Sequence, residues 1–185
     1  MQDEHADIHA NIKKQFIAHR READGKTQDL WQHLKETSSL AGRFATKIGL
    51  EKPGELIGLL HDLGKATQEF DQYIRSAVGL DDPDGDDSID ISRQKGKPDH
   101  SSAGAQVIHR YFSDKGNESL FVSQILALTI ASHHSGLIDC LTPEGEDNFS
   151  RRIKKSEEKT RTKESLVNLE KDIKSKVEEL LSDHS

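Results

Sequence analysis

The chain has 185 residues, enough for one domain with a real core and too few for two ordinary ones. Apolar and charged residues each make up 32%, which fits a soluble globular protein, and no run approaches the ~20 apolar residues of a membrane helix. Cys140 is the single cysteine, so disulfide stapling and cysteine-rich zinc sites are excluded, and a net charge of −7 argues against a surface coated for duplex DNA while allowing a local basic groove.

Residues 1–15 are polar and read as a frayed or weakly helical lead-in, with no signal-peptide character at Met1–Glu4, so the cytoplasm is the expected compartment. Phe16-Ile17-Ala18 is a short apolar run suited to docking as an extended segment. From Gln28 to Ile48, Leu30, Leu34, Thr37, Ala41, Phe44 and Ile48 recur at spacings of three and four, which predicts a helix with His33 on or beside its buried face. Pro53 opens a second helix whose apolar run, Leu56 to Leu60, leads straight into His61 and Asp62. Helical character resumes over Thr67–Ser76.

Asp81 to Asp87 form an acidic, turn-rich loop whose spacing does not match a calcium loop, and a solvated surface insert is expected there. Ser101–Phe112 is predicted as a helix with His100 at its N-terminal edge. Ser119–Ser132 is apolar nearly all round, which predicts a central buried helix; it runs into His133-His134-Ser135-Gly136, where Gly136 can terminate it. Beyond Pro143, Arg151–Lys163 holds seven basic residues, and Leu166, Leu169, Ile173, Val177 and Leu180 then mark an amphipathic helix. No strand signal is apparent, so the expected fold class is all-α.

His33, His61, Asp62, His100, His133 and His134 all fall at or beside buried faces of apolar helices. Burying that many ionisable groups is costly unless they are paired or hold a cation. A metal keeps imidazoles neutral and a carboxylate ionised, which removes the cost. Asp62 offers two oxygens and can bridge two ions; Lys65, three residues on, lies on the same helical face and can bind a substrate phosphate or stabilise transition-state charge. A His and carboxylate set with open positions suits divalent Mn, Fe, Ni or Co, with Mg or Zn as further options, and two such ions clamp both oxygens of a phosphodiester displacement. Cys140 reads as a buried structural thiol. His5, His9, His19, His109 and His184 read as surface residues, and Arg151–Lys163 as a solvated face with some capacity for DNA backbone.

The segment His61-Asp62-Leu63-Gly64-Lys65 resembles the signature of the HD superfamily of phosphohydrolases. Four ordered blocks narrow the resemblance: Leu30-Trp31-Gln32-His33-Leu34, the HDLGK segment, His100-Ser101-Ser102-Ala103-Gly104-Ala105, and Ala131-Ser132-His133-His134-Ser135-Gly136. Together they are similar to the HD nuclease domain of the type I CRISPR helicase-nuclease, over residues 16–140. The resemblance implies a helical bundle with the metal site between helices, and metal-dependent cleavage of single-stranded DNA. It also implies two partners, a helicase domain or subunit and a crRNA-guided surveillance complex, and no membrane association. It assigns His33, His61 and Asp62 to one ion, and Asp62, His100, His133 and His134 to a second, with Asp62 and Lys65 as catalytic residues.

The family pattern also carries a later aspartate for which Asp139, Asp172 and Asp183 are poor counterparts. The expected organisation is one domain over residues 1–185: a metal-binding core over 16–140, and a charged helical segment over 141–185 that stops before the last family helix. Two other functions fit the same signature. One is hydrolysis of a nucleotide or cyclic dinucleotide; the other is a degenerate, non-catalytic metal-binding docking domain.

Overall fold

A computed structural model describes residues 15–77, 98–134 and 136–183. The acidic loop, His5, His9, His184 and Ser135 lie outside the described residues.

The apolar run at Phe16 opens a short antiparallel hairpin, β1 (Ile17–Arg20) with β2 (Thr27–Asp29), so the expectation of no strand is corrected. The strands are four and three residues long, too short for alternation to show in the sequence. Their register shifts between Ile17 and His19, which takes the intervening Ala18 out of regular pairing. Asp29 ends β2 and caps α1 (Leu30–Ala45), accepting from the Gln32 N–H at 3.0 Å. The helix buries Leu30 and Leu34 as its spacing predicts, and Trp31 beside them, whereas Phe44 and Ile48, at the far end of the same stripe, are exposed.

Next come α2 (Glu51–Leu60), a 3-10 turn over Leu63–Lys65, and α3 (Gln68–Ala77). Helix α1 lies along α2, where Gly58 faces the Ser38 backbone and the Ser38 hydroxyl donates to Glu55 O at 2.9 Å. Helix α4 (Ser101–Phe112) is capped by Asp99, which accepts from the Ser102 N–H at 3.0 Å and from its hydroxyl at 2.7 Å. It packs on α5 (Asn117–Ser132).

Helix α5 is not buried all round. Leu126, Ala127 and Ile130 face the core, while Phe121, Val122 and Ile125 are exposed. Uniform apolar composition carries no information on which face is covered; α4 packs on one face and leaves Phe121, Val122 and Ile125 open. Gly136 turns the chain out of α5 at a φ of 72°, a left-handed backbone that favours glycine. Cys140 follows in an exposed loop, so it is not a buried structural thiol.

The C-terminal amphipathic stretch is split into α8 (Thr162–Asn168) and α9 (Lys171–Ser182), preceded by the short α6 (Asn148–Ile153) and α7 (Glu157–Thr160). Leu169, between α8 and α9, has an extended backbone and a buried side chain. Helix α9 packs on α2 and buries Ile173, Val177, Leu180 and Leu181 in the same core as Leu34, Leu56 and Leu60. At about 1.5–3 kcal/mol per buried aliphatic side chain, α9 contributes roughly 6–12 kcal/mol. Helix α9 and Leu169 are therefore built into the core, with the partly buried Phe149, Ile153 and Leu166 packed against it.

Candidate metal centre

The candidate ligands sit mostly at helix ends, where the backbone leaves its regular path and side chains converge. His61 caps the C-terminus of α2 and Asp62 begins the 3-10 turn. His100 occupies the N-cap position of α4, and His133 the C-cap of α5. Because Asp99 does the capping at α4, the His100 ring is left to turn inward. His33 projects from within α1.

The structure brings five histidines, His33, His61, His100, His133 and His134, together around Asp62, which is 1% exposed. One carboxylate oxygen, Oδ2, lies 3.2 Å from Nε2 of His33 and 3.2 Å from Nε2 of His61. The other, Oδ1, lies 3.2 Å from Nε2 of His133, 3.6 Å from that of His100 and 3.8 Å from that of His134. The two Nε2 atoms of His33 and His61 are 3.1 Å apart, and those of His100 and His134 are also in close contact. Asp62, His100, His133 and His134 form one donor group, with ligand atoms within 4.8 Å of one another.

Backbone carbonyls orient the rings. Nδ1 of His61 donates to Gly58 O at 2.9 Å, Nδ1 of His133 to Ile130 O at 2.7 Å, and Nδ1 of His100 to Pro98 O at 3.2 Å. In a neutral imidazole this leaves Nε2 as a lone pair aimed inward, the tautomer a metal needs. Lone pairs 3 Å apart repel unless a proton or cation lies between them. Metal–nitrogen bonds of about 2.0–2.1 Å place neighbouring ligand atoms roughly 2.9–3.4 Å apart, and the His33, His61 and Asp62 separations fall in that range. The donor set therefore fits divalent ions. Burial alone would push the Asp62 carboxyl up, but with no ion bound the Nε2–H groups that His133, His33 and His61 can present to it outweigh burial and hold Asp62 well below the usual carboxylate range; a bound cation takes the place of those protons.

Two side chains differ from expectation. His19, expected at the surface, is carried by β1 to the rim: its Nε2 is 3.8 Å from Asp62 Oδ2, and its ring meets that of His33 edge-on at 4.7 Å. His19, His33 and Asp62 form a second donor group. The apolar run Phe16-Ile17-Ala18 before His19 signals a docked extended segment, but the spacing does not say that its hairpin delivers His19 to Asp62. Lys65 lies within the site, but its ammonium does not face solvent. It is 1% exposed and donates to Asp62 Oδ2 at 2.8 Å, to Ala18 O at 3.0 Å and to His19 Nε2 at 3.3 Å. The register shift at Ala18 supplies that carbonyl, so Lys65 ties the hairpin to Asp62 in place of reaching for a phosphate.

The remaining candidates lie apart. Asp172 pairs with Lys35 at 2.7 Å and Asp183 with Lys52 at 2.8 Å. Asp62 is thus the one carboxylate in either donor group among the described residues. His109 is half-buried against Phe149.

Two glycines set the spacing. Gly64 donates its N–H to His100 O at 3.2 Å, and a Cβ there would stand 2.6 Å from that oxygen. A Cβ at Gly104 would stand 1.9 Å from Leu60 O. These contacts draw the α4 start against the His61–Asp62 corner.

The family model for the HD domain matches residues 30–170. Over 75 residues the chain is 33% identical to proteins named Ribonuclease Y from Nitratidesulfovibrio vulgaris, Pelobacter propionicus and Oleidesulfovibrio alaskensis. Each match covers 40% of this chain and 14% of the relative's length. No helix among the described residues is long and apolar enough to cross a membrane.

Proposed function

The chain belongs to the HD domain family, and from that premise we propose that it is a metal-dependent phosphodiesterase that cuts single-stranded DNA. In this reading it is the nuclease of a type I CRISPR system, working beside a helicase domain or subunit and a crRNA-guided surveillance complex. The observation that carries the proposal is the division of labour at Asp62: each carboxylate oxygen faces its own set of imidazole nitrogens.

His33, His61 and Asp62, with His19 at the rim, would hold one divalent ion; Asp62, His100, His133 and His134 would hold the second. Such a pair supplies Lewis-acid charge to a phosphodiester and lowers the pKa of the attacking water. Mn, Fe, Ni or Co match a donor set this rich in nitrogen, with Mg and Zn as further options. The protein's own part is to keep the donors in place. The Gly58, Ile130 and Pro98 carbonyls fix the tautomers of His61, His133 and His100. Lys65 is a positioning residue, holding Asp62 ionised and in register with the hairpin. His134 and His19, whose side chains are 43% and 48% exposed, mark the edge by which substrate approaches.

The test is incubation of metal-free protein with circular single-stranded DNA and Mn, Ni, Co, Mg or Zn in turn, alongside Asp62→Ala. Cleavage of the circle by wild type alone is expected. A second reading, cleavage of RNA, is favoured by the name of the matched relatives, and a circular RNA of the same sequence distinguishes it. Turnover confined to nucleotides or cyclic dinucleotides would replace both readings with small-molecule hydrolysis. Metal binding without any turnover would leave a docking module.

A further inference from the structure

Residues 151–163 hold seven basic and two acidic side chains, a balance opposite to that of the whole chain. Two adjoining hollows share Arg152 and Lys155 as walls. One, of about 320 Å³, runs from His100 and His134 past Asp99 and Ser101. The other, of about 900 Å³, continues along Arg151, Lys154 and Lys159. The two together are lined by five cations and two carboxylates, Asp99 and Asp139, in a chain whose net charge is −7. The groove therefore starts at the exposed edge of the metal centre.

Two of its cations, Arg152 and Lys155, are anchored and not merely solvated. Gln106, fully buried on α4, donates to Ile153 O at 3.0 Å and to Lys155 O at 2.8 Å, and accepts from Thr160 and Thr162. Arg152 donates to the Ser101 hydroxyl at 2.9 Å, and Lys155 pairs with Asp99. The basic segment is thus registered against the helix that presents His100. A small nucleotide would need no such extension beyond the metal ligands.

We propose that this groove is the track for a single strand of DNA, its phosphates lying along Arg152, Lys155, Lys154 and Lys159 as the strand passes the metal centre. The inference rests on the nuclease reading and assigns the substrate's path within it. Phosphate contacts of this kind are sequence-independent and salt-sensitive, each weakening the dependence of log K on log salt by about 0.7 for a single strand when lost.

The experiment measures binding of a fluorescent twenty-residue oligothymidylate to Asp62→Asn protein across a salt series. Three further proteins carry, in the same background, Arg152→Gln/Lys154→Gln/Lys159→Gln, the exposed pair Lys154→Gln/Lys159→Gln alone, or a control with Lys47→Gln/Lys171→Gln/Lys174→Gln. The expected slope falls by about 2 in the triple groove variant and about 1.4 in the pair. Affinity near 0.1 M salt falls roughly tenfold or more in the triple variant, and the control matches its parent. Equal losses in groove and control variants would reduce the effect to bulk charge and overturn the inference. Unchanged groove variants with a parent that binds would overturn the track alone. A parent that binds no strand, with wild type that cuts no circle, would overturn the nuclease reading and the track together.

Discussion

Replacing Gly104 with alanine sets two effects of known size against each other. By helix propensity alone, alanine at this position, the fourth of α4, stabilises by up to about 1 kcal/mol. The added Cβ, however, would stand 1.9 Å from Leu60 O and 2.8 Å from Leu60 C, where ordinary contact begins at 3.4 Å. The obstacle is backbone at the end of α2, so no side chain can swing away; the helices must separate by more than 1 Å. Overpacking of this kind costs about 1–3 kcal/mol beyond any propensity gain. The net expectation is a loss of about 2 kcal/mol, or a Tm lower by roughly 4–8 °C for a chain of this size. Because Leu60 is followed directly by His61 and Asp62, the same displacement pulls His100 away from Asp62 Oδ1, now 3.6 Å from it. Urea unfolding of metal-free Gly104→Ala reads the first effect, and calorimetric titration with Mn reads the second, expected as a tenfold or greater loss of affinity. A variant as stable as wild type or more so, with unchanged metal affinity, would refute the idea that this crossing sets the site's dimensions.

Asp62→Ala should abolish tight binding at both donor groups, read as bound metal per chain by mass spectrometry; retention of one tightly bound ion would contradict the bridging arrangement. Lys65→Met removes one partner of a buried pair and should lower the stability of metal-free protein by about 3 kcal/mol in urea unfolding, more than any exposed lysine would. Gln106→Leu strands the Ile153 and Lys155 carbonyls and should cost about 3 kcal/mol, with amide exchange accelerated over residues 153–162. Burial alone would raise the Asp99 carboxyl, but the Lys155 ammonium and Ser102 outweigh it and hold Asp99 below its ordinary value. Its contribution is therefore fully present above the unfolded pKa near 3.9 and fades as pH falls through the folded value. Wild type should lose more stability than Asp99→Asn between about pH 5 and pH 3 in acid-titrated unfolding; parallel curves would remove the pair from the account.

The helices were legible because their apolar positions repeat every three or four residues, and the ligands because histidines at the ends of apolar runs have few inexpensive explanations. Leu30 and Leu34 of α1, and α4 from Ser101 to Phe112, lie where the periodicity places them. The hairpin was not legible, since three and four residues carry no usable alternation, and His19 was lost with it. The open face of α5 was equally hidden: Phe121 and Leu126 look alike in sequence, and only the position of α4 decides which is covered. The anchoring of the basic segment depends on Gln106, a polar residue on a buried face whose partners lie about fifty positions away. Contacts of that range are set by the assembled fold, not by local pattern.

Helix α9 has a consequence for how the protein is made. The last imidazole of the cluster, His134, leaves the ribosome well before Leu180 and Leu181. At about 5–20 residues per second, the intervening stretch of about fifty residues takes roughly 3 to 10 s to emerge. Through that interval the apolar back of α2 has nothing to close over it. The apolar core is closed late, by the last helix described, and a newly made chain needs shelter from aggregation until that helix docks.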